Sequence, residues 1–385
     1  MKHNYLKVLI CACFIVLVVS HTASAKTTSK NTKEEPAISM SGYLNAERTK
    51  ATSTLSGGTY EANNLFDKDY TTAWVEGAKD NGEGESIDMT FEKGTVITEI
   101  QICPGYYKSR KLFYANAAPT GVTVSSGKTE YAFDISEYAF SYDMACETLI
   151  MPEPLILKDG KLKITIDSVR EGTAYKDTCI SELSVYGLEA KSEAAQLIAD
   201  GKEAVVISES SVGLLTSEAM YFIKRQSEDF EDLTGLYTMK GADVSVKAFL
   251  VYWYVYNVND RRITASDDQM CSIVTEEDVS DIYKELTGSE LDEAAYQTIL
   301  NDYVTELEDE GMYFEATGDF GDAFRYPDPH VELEMKNGKL LVKGYYCVYS
   351  NEEQAYVPTN SYVLYLVEGG PQSLGGYRLN KVVVR

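Results

Sequence analysis

The sequence predicts a β-sandwich, of the jelly-roll kind, followed by an α+β domain. Three observations carry this. Between about Arg48 and Gly187, short strand-like runs alternate with turn signals, and helical spacing is scarce. After Gly187 the apolar spacing becomes helical, and after about Val331 it returns to that of strands. The length, 385 residues, suits two domains.

Residues 1–25 read as a secretory signal peptide. Lys2 and Lys7 open it, Val8 to Val19 form its apolar run, and Ala23-Ser24-Ala25 closes it. That run of 12 residues is too short to span roughly 30 Å of hydrocarbon, so the protein is expected to be secreted rather than anchored. Residues 26–47 read as a flexible leader, polar and without apolar periodicity at least to about Ser41.

The sandwich is expected over 48–188. Ser86-Ile87-Asp88-Met89-Thr90-Phe91 alternates apolar and polar, as a half-buried strand does. Val96 to Ile102, Gly121 to Val124 and Lys161 to Ile166 are further strands, and Lys158-Asp159-Gly160 is a turn. The α+β domain is expected over 189–385. Its predicted helices are Glu193 to Asp200, Ser217 to Leu233, Asp243 to Val258, a capped stretch from Thr275 to Gly288, and Asp292 to Glu310. Val331 to Met335 and Leu340 to Gly344 flank Asn337-Gly338, a strong hairpin signal, and Ser361 to Val367 and Tyr377 to Val384 add strands. Helices before a meander resemble cystatin-like or NTF2-like cones at the level of fold alone.

Composition narrows the function. Asp and Glu number 60 against 35 Lys and Arg, and no basic run opposes that field, which disfavours nucleic acid and anionic lipid. Beyond the signal peptide only His330 remains, which excludes a His-rich metal site. Five Cys remain (Cys103, Cys146, Cys179, Cys271, Cys347), an odd set that allows one pair without naming it.

Two blocks stand out. One runs Asn64-Leu65-Phe66-Asp67-Lys68-Asp69-Tyr70-Thr71-Thr72-Ala73-Trp74-Val75-Glu76-Gly77-Ala78. The other is Tyr175-Lys176-Asp177-Thr178-Cys179-Ile180-Ser181-Glu182-Leu183, and Gly105-Tyr106-Tyr107-Lys108-Ser109 lies between them. Together they resemble the discoidin-like, factor V/VIII type C family of galactose-binding-like sandwiches. The branch they resemble is the translocation and glycan-binding domain found with streptococcal NAD glycohydrolase. The resemblance covers about 48–188.

Asp67, Asp69 and Thr72 offer hard oxygens within six residues, and Glu182 could close a cage for calcium from the last strand. The resemblance implies a structural calcium there; turn capping is the plainer alternative. Trp74 is expected either to plug the sandwich core or to stack on a sugar. Glu76, Glu85, Tyr106, Tyr107, Lys108, Asn116, Tyr175 and Asp177 are candidates for a neutral glycan site, aromatic faces beside polar groups. Where the family carries a basic residue after this asparagine, the chain reads Ala117-Ala118-Pro119, so a bidentate donor is missing.

The second half holds no G-x-S-x-G elbow, Walker loop or H-E-x-x-H helix. Glu332-Leu333-Glu334 lies on an alternating strand, where solvent-facing carboxylates are ordinary. The expectation is an exported, non-catalytic protein whose module binds a carbohydrate or surface ligand. The alternatives are a module that targets a hydrolase-like second domain to a surface, or one that docks a secreted protein partner.

Overall fold

The computed structural model describes residues 36–385 apart from 138–139, 141–145, 228–231, 259, 261, 267–270, 309–310, 316–325 and 351–352. The expected signal peptide and residues 26–35 of the leader lie outside the described residues. No helix among the described residues is long and apolar enough to cross a membrane.

The first half is a sandwich. One sheet holds β2 (Arg48–Ala51), β4 (Ser86–Thr90), β9 (Lys161–Arg170), β6 (Ala118–Ser126) and β7 (Thr129–Asp134), in that spatial order. The other holds β1 (Ala37–Tyr43), β10 (Cys179–Leu188), β5 (Val96–Pro104) and β8 (Glu147–Ile156), with the short β3 (Trp74–Val75) also on β10. The alternation in β4 does what it predicts: Ile87 and Met89 are buried while Asp88 and Thr90 are half-buried. They meet Ile100, Ile102, Val122, Val124, Ile164, Leu183 and Val185 between the sheets.

β1 departs from the expected leader. Its first five residues pair in parallel with β11 (Ala204–Ser208), and Gly42 and Tyr43 then pair antiparallel with Gly187 and Tyr186 of β10. Ile38 and Met40 pack on the core of the second half. The weak pattern Ala-Ile-Ser-Met-Ser-Gly becomes a strand because distant edges pair with it, not from local preference. Helix α2 (Glu193–Ala199) packs Ala194 and Ala195 on Val96 and Leu188, so it covers the sandwich edge.

The second half is α+β. An antiparallel sheet runs β12 (Gly235–Thr238), β21 (Tyr377–Val384), β20 (Ala355–Glu368) and β19 (Lys339–Ser350), with β17 (Tyr326–Pro327) and β18 (Glu332–Lys336) along its far edge. A smaller sheet comprises β13 (Thr264–Ala265), β14 (Cys271–Val274), β16 (Gly311–Glu315) and β15 (Val304–Glu308). Phe222 and Phe249, Trp253 and Ile282, and Leu340, Leu364 and Leu379 share one core across helices and strands.

Helix α4 (Val244–Asn257) and α5 (Glu276–Thr287) lie where their spacing puts them, and Thr275 caps α5 by accepting from the Asp278 N–H. Two helices differ. α3 spans Glu209–Lys224, beginning eight residues before the expected Ser217, because Ser208 caps it and Val212 and Leu215 extend its buried stripe. α6 spans Glu293–Tyr303 and then yields to β15, whose Val304 pairs with Phe314 instead of continuing the helix. Of the five cysteines, Cys103 and Cys146 form a disulfide, the one pair the odd set allows, while Cys179, Cys271 and Cys347 stand as thiols outside it.

Candidate functional site

The two sequence blocks meet. Trp74 and Val75 of β3 pair with Ile180 and Cys179 of β10, although about a hundred residues separate them. Around the start of β10 four segments converge. Gly105 bridges Ile180, Ala117 bridges Thr178, and Thr178 Oγ1 donates to the Asn81 carbonyl at 2.7 Å. The loop before β10 is laid on the end of α1 (Arg110–Ala115): the Ala174 and Tyr175 N–H groups both donate to the Ala115 carbonyl, at 3.1 and 2.8 Å.

Gly172 makes that seating possible. A Cβ there would stand 2.3 Å from the Tyr175 carbonyl and 2.5 Å from that of Ala115.

The structure divides the candidate ligand residues into supports and rim. Trp74 is fully buried, its Nε1 donating to the Ser53 carbonyl at 3.1 Å, which makes it the core plug. Glu76 is fully buried too, and its carboxylate accepts from the Ala78 N–H at 2.6 Å and the Thr178 N–H at 3.2 Å. It therefore stitches the first block to the second rather than facing a ligand. Burial raises its pKa from the ordinary carboxylate value, although both backbone donors oppose the rise.

Tyr106 and Tyr107 are also buried. Tyr106 packs with Val75 and Cys179, and Tyr107 with Phe113 and Phe140 beside the disulfide. Asn116 is buried at the end of α1, where its Nδ2 donates to the Leu112 carbonyl. Tyr175, at 54% exposure, together with exposed Lys108 and half-buried Asp177 and Glu85, is left to face outward. Glu85 accepts from Thr52 Oγ1 at 2.6 Å, which fixes its direction.

The acidic loop lies close by. Asp67 accepts from the Asp69 N–H at 2.8 Å and from Thr72 Oγ1 at 2.8 Å, and Asp69 accepts from the Thr71 N–H at 2.9 Å. These are turn-capping bonds. Glu182 is different: it is 6% exposed and its Oε2 is buried with no hydrogen-bond partner. Burial, with the Asp67 charge second, pushes its pKa up to about 8. An orphaned carboxylate oxygen facing another carboxylate fits a cation. Among the described residues no three carboxylates, thiols or imidazoles are gathered tightly enough to cage a metal alone. A calcium held by Asp67, Asp69, Thr72 and Glu182 would therefore need backbone carbonyls as well.

The comparisons with known proteins bear on this half of the chain. Residues 40–186 match the NAD glycohydrolase translocation F5/8 type C domain. This F5/8 type C domain contains every sequence-predicted site residue. No curated protein sequence matches the chain. Among solved structures, the family 32 carbohydrate-binding module of AlyQ, in complex with 4,5-unsaturated mannuronic acid, is 12% identical. The match covers 37% of this chain and 97% of that one, with a TM-score of 0.28. The family 32 module of NanJ from C. perfringens, in complex with galactose, is 18% identical over 36% of this chain and 92% of that one, with a TM-score of 0.25. A pectin-binding module is 16% identical over 43% and 97% of the two chains, with a TM-score of 0.27.

In the second half, His330 Nδ1 lies 2.9 Å from Asp328 Oδ1, and Cys347 Sγ lies 4.0 Å from the other oxygen of the same carboxylate. Asp328 stands between thiol and imidazole, and burial and its charge raise the thiol pKa. That arrangement holds the sulfur protonated instead of activating it. Glu332 and Glu334 flank Lys343 at 3.5 and 2.7 Å, a surface ion pair.

Proposed function

We propose that the protein is exported, non-catalytic, and binds carbohydrate through its F5/8 type C domain. The observation that carries this reading is the seating of Tyr175. A half-exposed ring stands on a loop that two backbone bonds, from Ala174 and Tyr175, hold to the end of α1, beside the start of β10 where the segments converge. An amphipathic ring face suits the C–H face of a pyranose, and Lys108, Asp177 and Glu85 supply oriented polar groups for its hydroxyls. Glu76, Tyr106, Tyr107 and Asn116 act from behind, as positioning residues.

Glycan-array binding by the full chain tests this. Tyr175→Ala is expected to weaken binding about tenfold or more with an unchanged melting midpoint, because the ring carries contact and not packing. Gly172→Ala should weaken it as well by unseating the loop. No glycan bound by folded wild-type protein would overturn the reading.

Calcium belongs to the same proposal. Held at Asp67, Asp69, Thr72 and Glu182, it would pin the acidic loop beside β10 and take no part in chemistry. Added calcium is expected to raise the melting midpoint, chelator to reverse this, and Glu182→Gln to abolish the difference. An unchanged wild-type midpoint removes the ion from the account.

A further inference from the structure

The sandwich and the α+β half meet along a seam that has its own chemistry. β1 crosses it, bonding first to β11 and then to β10, so one strand belongs to both halves. Glu99 of β5 reaches the seam from the sandwich side beside the Ser208 hydroxyl, which opposes the rise in its pKa. Ser208 closes β11 and caps α3, where its Oγ accepts from the Ser211 N–H at 3.0 Å. Glu99 is 6% exposed and its Oε1 is buried without a partner. Ser41, the register partner of Ser208 on β1, is fully buried with its Oγ equally unpartnered. A carboxylate and two hydroxyls are thus sealed between the halves, and one carboxylate oxygen has no donor.

We propose that this seam is a proton-controlled joint, locked when Glu99 is neutral and loosened when it ionises. A neutral carboxyl tolerates the site, because its O–H can donate to Ser208 and only a carbonyl oxygen is left bare. An ionised one lacks a donor there, since the Ser208 hydroxyl is given to Ser211 Oγ at 2.8 Å, so opening the seam to water relieves it. The other titratable groups facing it do not compensate. Tyr186 lies opposite on β10, and Tyr43 follows on β1 with its ring 5.9 Å from that of Tyr186 and its pKa raised by burial. Ile150, opposite on β8, carries no charge.

Burial pushes the Glu99 pKa up to about 7, against an ordinary value near 4.5, with Ser208 opposing the rise. A raised carboxylate pKa favours the locked form in acid. That preference is complete below the ordinary value and is lost as pH climbs through about 7.

The test is amide hydrogen exchange on the full chain at pH 5, 6.5 and 8, read as protection factors corrected for intrinsic rates. Protection of Ile38 to Ser41 and Val205 to Ser208 is expected to fall by roughly 10²-fold from pH 5 to pH 8, while Ile87 to Thr90 in the sandwich core holds. Glu99→Gln should flatten the fall. Glu218→Gln, which removes another fully buried carboxylate whose pKa is raised, should leave it intact. A wild-type seam that keeps its protection at pH 8, or a Glu99→Gln seam that loses it as the wild type does, would overturn the joint.

Discussion

Trp74→Ala is expected to cost the sandwich about 3–5 kcal/mol, the range for removing a large aromatic from a packed core. The indole is fully buried between the sheets, and the residue is one of the two that attach β3 to β10. Its loss leaves a cavity and abandons the Ser53 carbonyl that the indole N–H satisfies. The chain's second tryptophan, Trp253, is buried in the other core, so its fluorescence reports independently on that half. Urea unfolding of Trp74→Ala should therefore show the sandwich melting first, followed by far-ultraviolet circular dichroism, with Trp253 still quiet. A loss under about 1 kcal/mol would mean that the ring is not the plug of the core.

Breaking the Cys103–Cys146 disulfide is expected to cost about 4 kcal/mol from chain entropy, since 43 residues separate the two cysteines. The bond ties the end of β5 to the start of β8 and sits in one small cluster with Tyr107, Phe113 and Phe140. Its removal therefore loosens the support under Tyr107 as well as the sheet edge. Paired Cys103→Ala and Cys146→Ala substitution, compared with wild type in urea, measures the stability loss. Thiol titration of unfolded, unreduced protein lacking residues 1–25 should find three thiols, Cys179, Cys271 and Cys347. Five would mean that the bond does not form.

Local signals were legible and distant ones were not. Asn337 and Gly338 take the positive φ angles, 52° and 66°, that an Asn-Gly hairpin demands, and β18 and β19 pair across them. Thr275 caps α5 as its spacing implies. The factor V/VIII type C blocks were legible because their residues lie side by side in sequence. Glu76 was misplaced on the ligand because its burial depends on Thr178, which joins it only through the pairing of β3 with β10. A carboxylate two residues after a buried tryptophan looks the same in sequence whether it faces sugar or backbone. Tyr106, Tyr107 and Asn116 were misplaced for the same reason, since their walls come from other segments. β1 was missed because five of its seven residues find their partner, β11, more than 160 positions along the chain.

Sharing one strand between two halves also governs how the molecule can be cut. A fragment starting at Arg48, where the sandwich pattern begins, would keep the β10 edge and lose the strand that covers it. Bare N–H and C=O groups along such an edge recruit strands from neighbouring molecules, and that route leads to clumping and fibres. Fragments of this protein intended to stay dispersed should therefore start before Ala37 and extend at least through Ser208.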